Sequence, residues 1–487
     1  MTDNYAMPAS SLKDENIDPQ GVLDFIDKLK EKNILLHSFI MARNGNIVCR
    51  LNAYPYSSDY RHVINSCTKT FNSLAVGIVY DQGLISLDDK VSDYIKNPNA
   101  EKNGLKDLTI RHLLTMSVGH DHEPPLDTDK PWAERLFDKP LTYPSGSLYF
   151  YNNLASHTLS TIVKIVSGKT SEELLKERFF DKCGIRDYYW IKDPYGIPFG
   201  AAGIFIKGED MLKMGQLFLN KGELNGIRVV SEEYIELATA KQMETAPAYN
   251  PLKTESIQGY GFQLWHSTHN AYRASGLFGQ VCLVIPDKNV TAVFNSSTSG
   301  SQPLLDTFFD TIYPAIDREG QHPANIEEII KEKMKILDTE PVSGNAIGFY
   351  EEQISGKKLK KDDSDDYLIL DFKDDSCLLT FTKGKEFKVL LGHNRFKESK
   401  TDFDDYYRSI NFYKICPKPE NVEGPLTYGS YAWISNSHLK IRILTKDDAP
   451  YVNLDLYFDD KSVDVSLQID YIVENSDYKR KYKYRMC

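Results

Sequence analysis

The chain has 487 residues, 41% of them hydrophobic and 26% charged, a balance that suits a water-soluble folded protein and excludes a disordered or fibrous one. That length exceeds one ordinary core, so two or three domains are expected. The formal net charge of −11 argues against nucleic acid as a partner, and no apolar run is long enough to cross a bilayer.

The N-terminus, Met-Thr-Asp-Asn-Tyr-Ala-Met-Pro, has neither a basic segment nor an apolar one behind it, so no signal peptide is expected. Seven cysteines are scattered without a Cys-x-x-Cys pair. This pattern fits a reducing, cytoplasmic setting better than a disulfide framework.

Asp18-Pro19 opens a helix through about Lys32, with Val22, Ile26 and Leu29 on one face. A hairpin follows, with apolar residues through Phe39 and Met41, a turn at Asn44-Gly45, and a second strand from Ile47 to Leu51. Next comes a long helix in which Leu74, Ile78 and Val79 recur at helical spacing until Gly83 stops it. Thr109 reads as the N-cap of a further helix. Residues 117–145 are loop-rich. The His120-Asp121-His122-Glu123 cluster within them lacks helical i, i+4 histidines, so a metal site is not expected there, nor is a cofactor anywhere.

Tyr151 and Asn153 fall on a turn before a helix carrying Leu159, Ile162 and Val166, closed by Gly168. An amphipathic helix is expected over Gly208–Asn220. Four strands then follow: Gly259 to His266, Ala271 to Ser275, Val281 to Ile285 and Val290 to Asn295, the last two joined by a Pro286–Asn289 turn. Residues 325–337 read as a charged amphipathic helix. From residue 341 onward short alternating runs repeat, from Tyr367–Phe372 through Val463–Ile469, which predicts an antiparallel sandwich or barrel-like module. The expected division is residues 1–315, a linker helix over 316–340, and a β-rich domain over 341–487.

Ser66 and Lys69 open the long helix three residues apart, so they share a face. A serine becomes a nucleophile when a base takes its proton, and an amine of lowered pKa is such a base. The bland alternative is a helix cap with a solvated lysine. Ser-x-x-Lys also occurs at Ser10/Lys13, Ser355/Lys358, Ser437/Lys440 and Ser476/Lys479, but those copies lie in polar or strand-like text. Cys67, between Ser66 and Lys69, reads as a small packing residue.

Three segments in order carry a resemblance. Ser66-Cys67-Thr68-Lys69, Tyr151-Asn152-Asn153 and Ala274-Ser275-Gly276 resemble the three motifs of the serine β-lactamase and penicillin-binding-protein superfamily, in its class C and esterase branch. The class A enzymes carry Ser-Asp-Asn in the middle position instead. The likeness extends over roughly residues 20–300. It implies an α/β fold in which an antiparallel sheet is flanked by helices, with a helical subdomain, and acyl transfer through a serine ester. Carried over by position, Ser66 is the nucleophile, and Lys69 and Tyr151 share the proton work. Asn153 orients Lys69, and the backbone N–H groups of Ser66 and Leu277 form the oxyanion hole. The Lys69 cation would favour a Tyr151 phenolate, and which of the two is the base stays open.

The third motif departs from the family's usual Lys or His: Ala274 stands there, and strand alternation turns the neighbouring Arg273 to the opposite face. A neutral ester or amide is therefore expected in preference to a carboxylate-bearing substrate, with Trp132, Tyr149 and Phe278 as candidate pocket walls. Two other readings remain: a β-lactamase or D-amino-acid peptidase, and a catalytically inactive ligand-binding scaffold. The expected partner is a small molecule, and the sequence does not set the oligomeric state.

Overall fold

A computed structural model describes residues 5–126, 130–383, 385–401, 424, 426–470 and 479–486. The first four residues of the N-terminal reading and Ser476 of the stray Ser476/Lys479 pair lie outside the described residues.

Helix α1, Pro19–Glu31, begins as expected: the Asp18 side chain accepts from Gln20 N–H and Pro19 takes the first turn. Strands β1, Leu35–Arg43, and β2, Asn46–Asn52, form the N-terminal hairpin. Helix α2, Thr68–Asp81, carries the Ser66–Lys69 motif at its head, and Gly83 just beyond its end has φ +68°. Helix α3 is Asn153–Ser167, with left-handed Gly168 as its C-terminal stop. Helix α4 is Gly208–Leu219. Four strands follow, β3 Trp265–His266, β4 Tyr272–Gly276, β5 Gln280–Ile285 and β6 Val290–Ser297, and then helices α5, Gln302–Thr311, and α6, Ile326–Met334.

These strands make one antiparallel sheet in the order β2-β1-β6-β5-β4-β3. Period-2 alternation sends Phe39, Met41, Leu283 and Phe294 into a core shared with α1 and α5. Ile40, Ala42, Cys282 and Val293 go into a second core shared with α2, α3 and α4. The result is an α/β sandwich in which residues 53–264, rich in helices, are inserted between β2 and β3. Ile330, Met334 and Leu337 belong to the same core as α1, so the segment expected as a linker helix lays its apolar residues on the first domain.

Two expectations are corrected. Only Trp265–His266 of the 259–266 run is a strand. The backbone turns at Gln263, φ +61°, whose amide donates to Leu113 O at 3.1 Å and Leu114 O at 2.9 Å. The apolar alternation at Tyr260, Phe262 and Leu264 reflects core burial, not a ladder. Helix α4 was expected to be amphipathic, yet Asp210, Lys213 and Gln216 are buried with its apolar face. Lys213 escapes isolation by an ion pair to Asp210 at 2.9 Å.

The C-terminal strands are β7 Lys358–Lys361, β8 Tyr367–Lys373, β9 Ser376–Lys383, β10 Lys385–His393, β11 Lys397–Lys400, β12 Leu426–Ser435, β13 His438–Thr445, β14 Tyr451–Phe458, β15 Ser462–Asp470 and β16 Lys479–Met486. Their order is β10-β9-β8-β7-β16-β15-β14-β13-β12-β11, and a further pairing of β10 with β12 closes the sheet into a barrel. Inward residues such as Leu370, Leu379, Val389, Ile441, Leu456 and Val465 fill it.

The barrel packs close to Ser66. Val63 N–H, three residues before Ser66, donates to Asp447 O at 2.7 Å. Ala449 enters the core under α2, and Phe278 touches the barrel's own core.

Beside this contact lies a buried histidine pair. His37 Nδ1 and His62 Nε2 are 2.9 Å apart, and His62 Nδ1 is 2.8 Å from Val63 O. A carbonyl only accepts, so His62 carries its proton on Nδ1 and His37 Nδ1–H donates to His62 Nε2. Burial, and for His37 also the neighbouring His62, lowers both values, that of His62 to about 4. The unfolded chain takes up protons near pH 6.5, the folded one not until near pH 4. Stability is therefore intact above pH 6.5 and falls as the pH drops toward 4, by about 3 kcal/mol for His62 alone. Thermal midpoints measured from pH 7 to pH 4.5 are expected to fall steeply in the wild type and less so in His62→Gln. Equal slopes would remove the pair as the cause.

Candidate active site

The turn Asn65–Cys67 runs directly into α2, and Asn65 holds a left-handed φ of +45°. This conformation, tolerated best by Asn after Gly, swings Ser66 out at the head of the helix. Gly276 at the end of β4 makes the close approach possible: a Cβ there would lie 2.4 Å from Ile64 O and 3.1 Å from Ser66 N. Asn65 Nδ2 donates to Leu277 O at 3.0 Å, tying the Ser66 turn to the third motif.

Lys69 is 2% exposed. Its amine donates to Ser66 Oγ at 3.1 Å, Asn153 Oδ1 at 2.8 Å and Ala201 O at 2.7 Å. The ring of Tyr151 lies under it, 4.7 Å from Nζ to the centroid. Burial lowers Lys69 from the ordinary lysine value to about 7, opposed by the Glu123 carboxylate and by Cys67. Tyr151 moves the other way. Burial pushes its phenol up, a hydrogen bond with Ser66 opposes this, and Tyr249, Cys67 and Glu123 push it further. The phenolate expected from the nearby lysine is thus reversed: burial raises the phenol, which keeps its proton.

Asn153 is the first residue of α3, and the cap is its neighbour Asn152, whose side chain accepts from Ala155 N–H. Cys67 is fully buried with its thiol pushed well up, which suits a packing residue. Among the described residues five cysteines are buried and in no disulfide.

The third motif lies where the ladder places it. Ala274 pairs with Cys282 and Arg273 with Leu283, so the two face opposite sides of the sheet. Arg273 is 1% exposed, donates to His266 O at 2.8 Å and Ser267 Oγ at 2.5 Å, and does not replace the missing cation. Ser275 Oγ donates to Ser301 Oγ at 3.3 Å, on the α5 side. Leu277 is exposed. Phe278 has φ +65°, an unusual state for an aromatic residue. It is held there by Gln280 Nε2, Ser296 Oγ and Thr298 N–H, all donating to its carbonyl.

Of the expected pocket walls, Phe278 is half-buried beside the site. Tyr149 is buried behind it, edge-on to Trp265 at 5.6 Å. Trp132 is displaced: it is fully buried against His157 and Phe199 in the core under the helices. Trp265, stacked on Tyr151 at 6.1 Å, and Tyr249 join Tyr149 instead. In a chain with 30 tyrosines nothing local marks them out. The 120–123 cluster diverges: His120 reaches Lys139 O, Asp121 and His122 pair with each other at the surface, and Glu123 turns to α3. Glu123, Asn65 and the Ala201 carbonyl are the site groups that sequence reasoning missed.

An antiparallel sheet flanked by helices, with a buried lysine one turn after a serine at a helix head, defines a β-lactamase-like protein. The family model described as Beta-lactamase matches residues 25–308, more than half of the chain, and the chain belongs to that family. It is 26% identical over 303 residues to an uncharacterized protein of Alkalihalophilus pseudofirmus, covering 54% of this chain and 82% of that one. It is 22% identical over 254 residues to a 6-aminohexanoate-dimer hydrolase of Paenarthrobacter ureafaciens, covering 48% of this chain and 64% of that protein's length. A penicillin-binding-protein homologue from Caulobacter crescentus shares the fold, with TM-score 0.51 and 16% identity over 61% of this chain and 98% of that one. No helix among the described residues is long and apolar enough to cross a membrane.

Proposed function

We propose that this protein is a serine hydrolase that cleaves an ester or amide through an acyl-enzyme on Ser66. The observation that carries the reading is the buried Lys69 amine 3.1 Å from Ser66 Oγ, with a pKa lowered to about 7. As a neutral amine, Lys69 takes the Ser66 proton while Oγ bonds to the substrate carbonyl carbon. The oxyanion sits between the N–H groups of Ser66 and Leu277. As the carbonyl re-forms, the bond to the leaving alcohol or amine breaks. That group receives its proton from the Tyr151 phenol, which is replenished from Lys69. Water then attacks the ester, its proton passing to the same pair, and Ser66 leaves with a proton.

A buried alanine where the family places a cation favours neutral substrates, and the half-buried Tyr249 and Phe278 rings favour an apolar group near the scissile bond. That one relative is named a 6-aminohexanoate-dimer hydrolase supports including amides. A fluorophosphonate probe is expected to label the wild-type protein, with the adduct mapping to the peptide containing Ser66. No adduct on the folded protein would overturn the covalent mechanism in favour of an inert scaffold.

A further inference from the structure

Glu123 reaches Lys69 through Asn153. The N–H groups of Asn153 and Leu154 both donate to Glu123 Oε1, the second at 3.2 Å, and Asn153 Nδ2 donates to Oε2 at 3.0 Å. The backbone bonds are those of an anion at a helix N-terminus. The side-chain bond adds a constraint. An ionised carboxylate only accepts, so it must face the NH2 of Asn153. The carbonyl oxygen of the same amide then faces the opposite way, to Lys69 Nζ at 2.8 Å. With a donor on one side and an acceptor on the other, the amide has one orientation that satisfies both.

We propose, building on the serine-hydrolase reading, that Glu123 is a positioning residue of the Ser66 centre: it fixes the amide orientation of Asn153 and sets a negative charge across that amide from the buried Lys69 amine. The groups around Lys69 are Ser66 and Cys67 on its own turn, Tyr151 and Asn153 from the start of α3, the Ala201 carbonyl, and Glu123 from its loop. Cys67 is held as a thiol by burial, and Arg273 on β4 acts on Cys67. Glu123 is the one carboxylate acting directly on Lys69 among the described residues.

Glutamine cannot reproduce this arrangement. If its oxygen faces Asn153 Nδ2, its NH2 faces two backbone donors; if it is flipped, its NH2 opposes that of Asn153 and drives the amide to turn its own donor toward Lys69. With the charge also gone, burial acts on Lys69 with less opposition, and the amine gives up its proton at lower pH.

The test is the pH profile of kcat/KM on a short-chain p-nitrophenyl ester for wild type, Glu123→Gln and Glu123→Asp, with Ser66→Ala as the blank. In Glu123→Gln the acidic limb is expected about one pH unit lower, with kcat down roughly tenfold and KM changed less. Glu123→Asp, which keeps the charge, is expected to return the limb to its wild-type position. A uniform loss at every pH in Glu123→Gln, or a limb that Glu123→Asp fails to restore, reduces Glu123 to a helix cap and overturns the proposal. If the wild type shows no Ser66-dependent turnover, the hydrolase reading fails separately. The charge coupling is then read without activity, from the titration of the Lys69 13Cε resonance in the Ser66→Ala background. A midpoint lowered by Glu123→Gln supports the coupling, and an unmoved one overturns it.

Discussion

Ser66→Ala is expected to lower kcat/KM for a p-nitrophenyl ester on the order of 10³-fold or more, because the hydroxyl carries the covalent step and no neighbouring group replaces it. Cys67 next door is fully buried and its thiol is raised well above its ordinary value, so it does not take over. The fold is expected to be indifferent. Ser66 Oγ receives one of three bonds from Lys69, and the amine keeps Asn153 Oδ1 and Ala201 O. Thermal midpoints of the two proteins should agree, and the mutant should take up no fluorophosphonate. Turnover equal to wild type would sink the mechanism.

The second large effect is at Lys69. Lys69→Met keeps most of the volume and removes the base, and it should lose on the order of 10²-fold or more in rate. It also leaves the buried Ala201 carbonyl without the amine and should cost about 1–3 kcal/mol of stability, visible as a lower thermal midpoint. Tyr151→Phe should lose rate on a similar scale, since in the proposed mechanism the phenol protonates the leaving group. The double mutant should lose much less than the product of the two, because both residues serve one proton path. Strictly multiplicative losses would separate them into independent roles. In the wild type the acidic limb of the rate profile is expected near pH 7, where the Lys69 amine gains its proton.

The sequence was most informative where one physical rule decides the outcome. Pro19, the Asn44-Gly45 turn and the helical spacing of Leu74, Ile78 and Val79 each led to the element observed. The Ser66, Lys69, Tyr151 and Asn153 constellation was legible because helix spacing brings the first pair together and the order of the motifs supplied the rest. Groups acting across long gaps were not. Glu123 meets α3 30 positions later in the chain, and in the sequence it stood in a His-Asp-His-Glu cluster set aside as a metal site, with no other role in view. The Trp132 reading failed because loop context does not reveal depth. Strands β7, β11 and β16 escaped notice because Lys-Leu-Lys-Lys, Lys-Glu-Ser-Lys and Lys-Arg-Lys-Tyr-Lys-Tyr-Arg-Met carry too few apolar residues to alternate. Such strands are set by their neighbours in a closed ladder rather than by their own composition. Stray Ser-x-x-Lys copies fared as their context implied: Lys358 and Lys440 lie on barrel strands.

The strand order of the central sheet bears on how the polypeptide matures. Strand β1 pairs on one side with its hairpin partner β2 and on the other with β6, Phe39 lying opposite Phe294. More than 250 residues separate those two, a long loop to close before the contact repays it. Every group of the proposed chemistry up to Asn153 leaves the ribosome well before β6 does. Until β6 docks, β5 and β4 have no ladder joining them to β1, and Gly276 and Leu277 are held against Ser66 by helix packing alone. A nascent chain halted at residue 285 would hold Ser66, Lys69, Tyr151 and Asn153 with the central sheet still open between β1 and β5. The barrel, coming last, would then find an already assembled surface at Val63 to settle on.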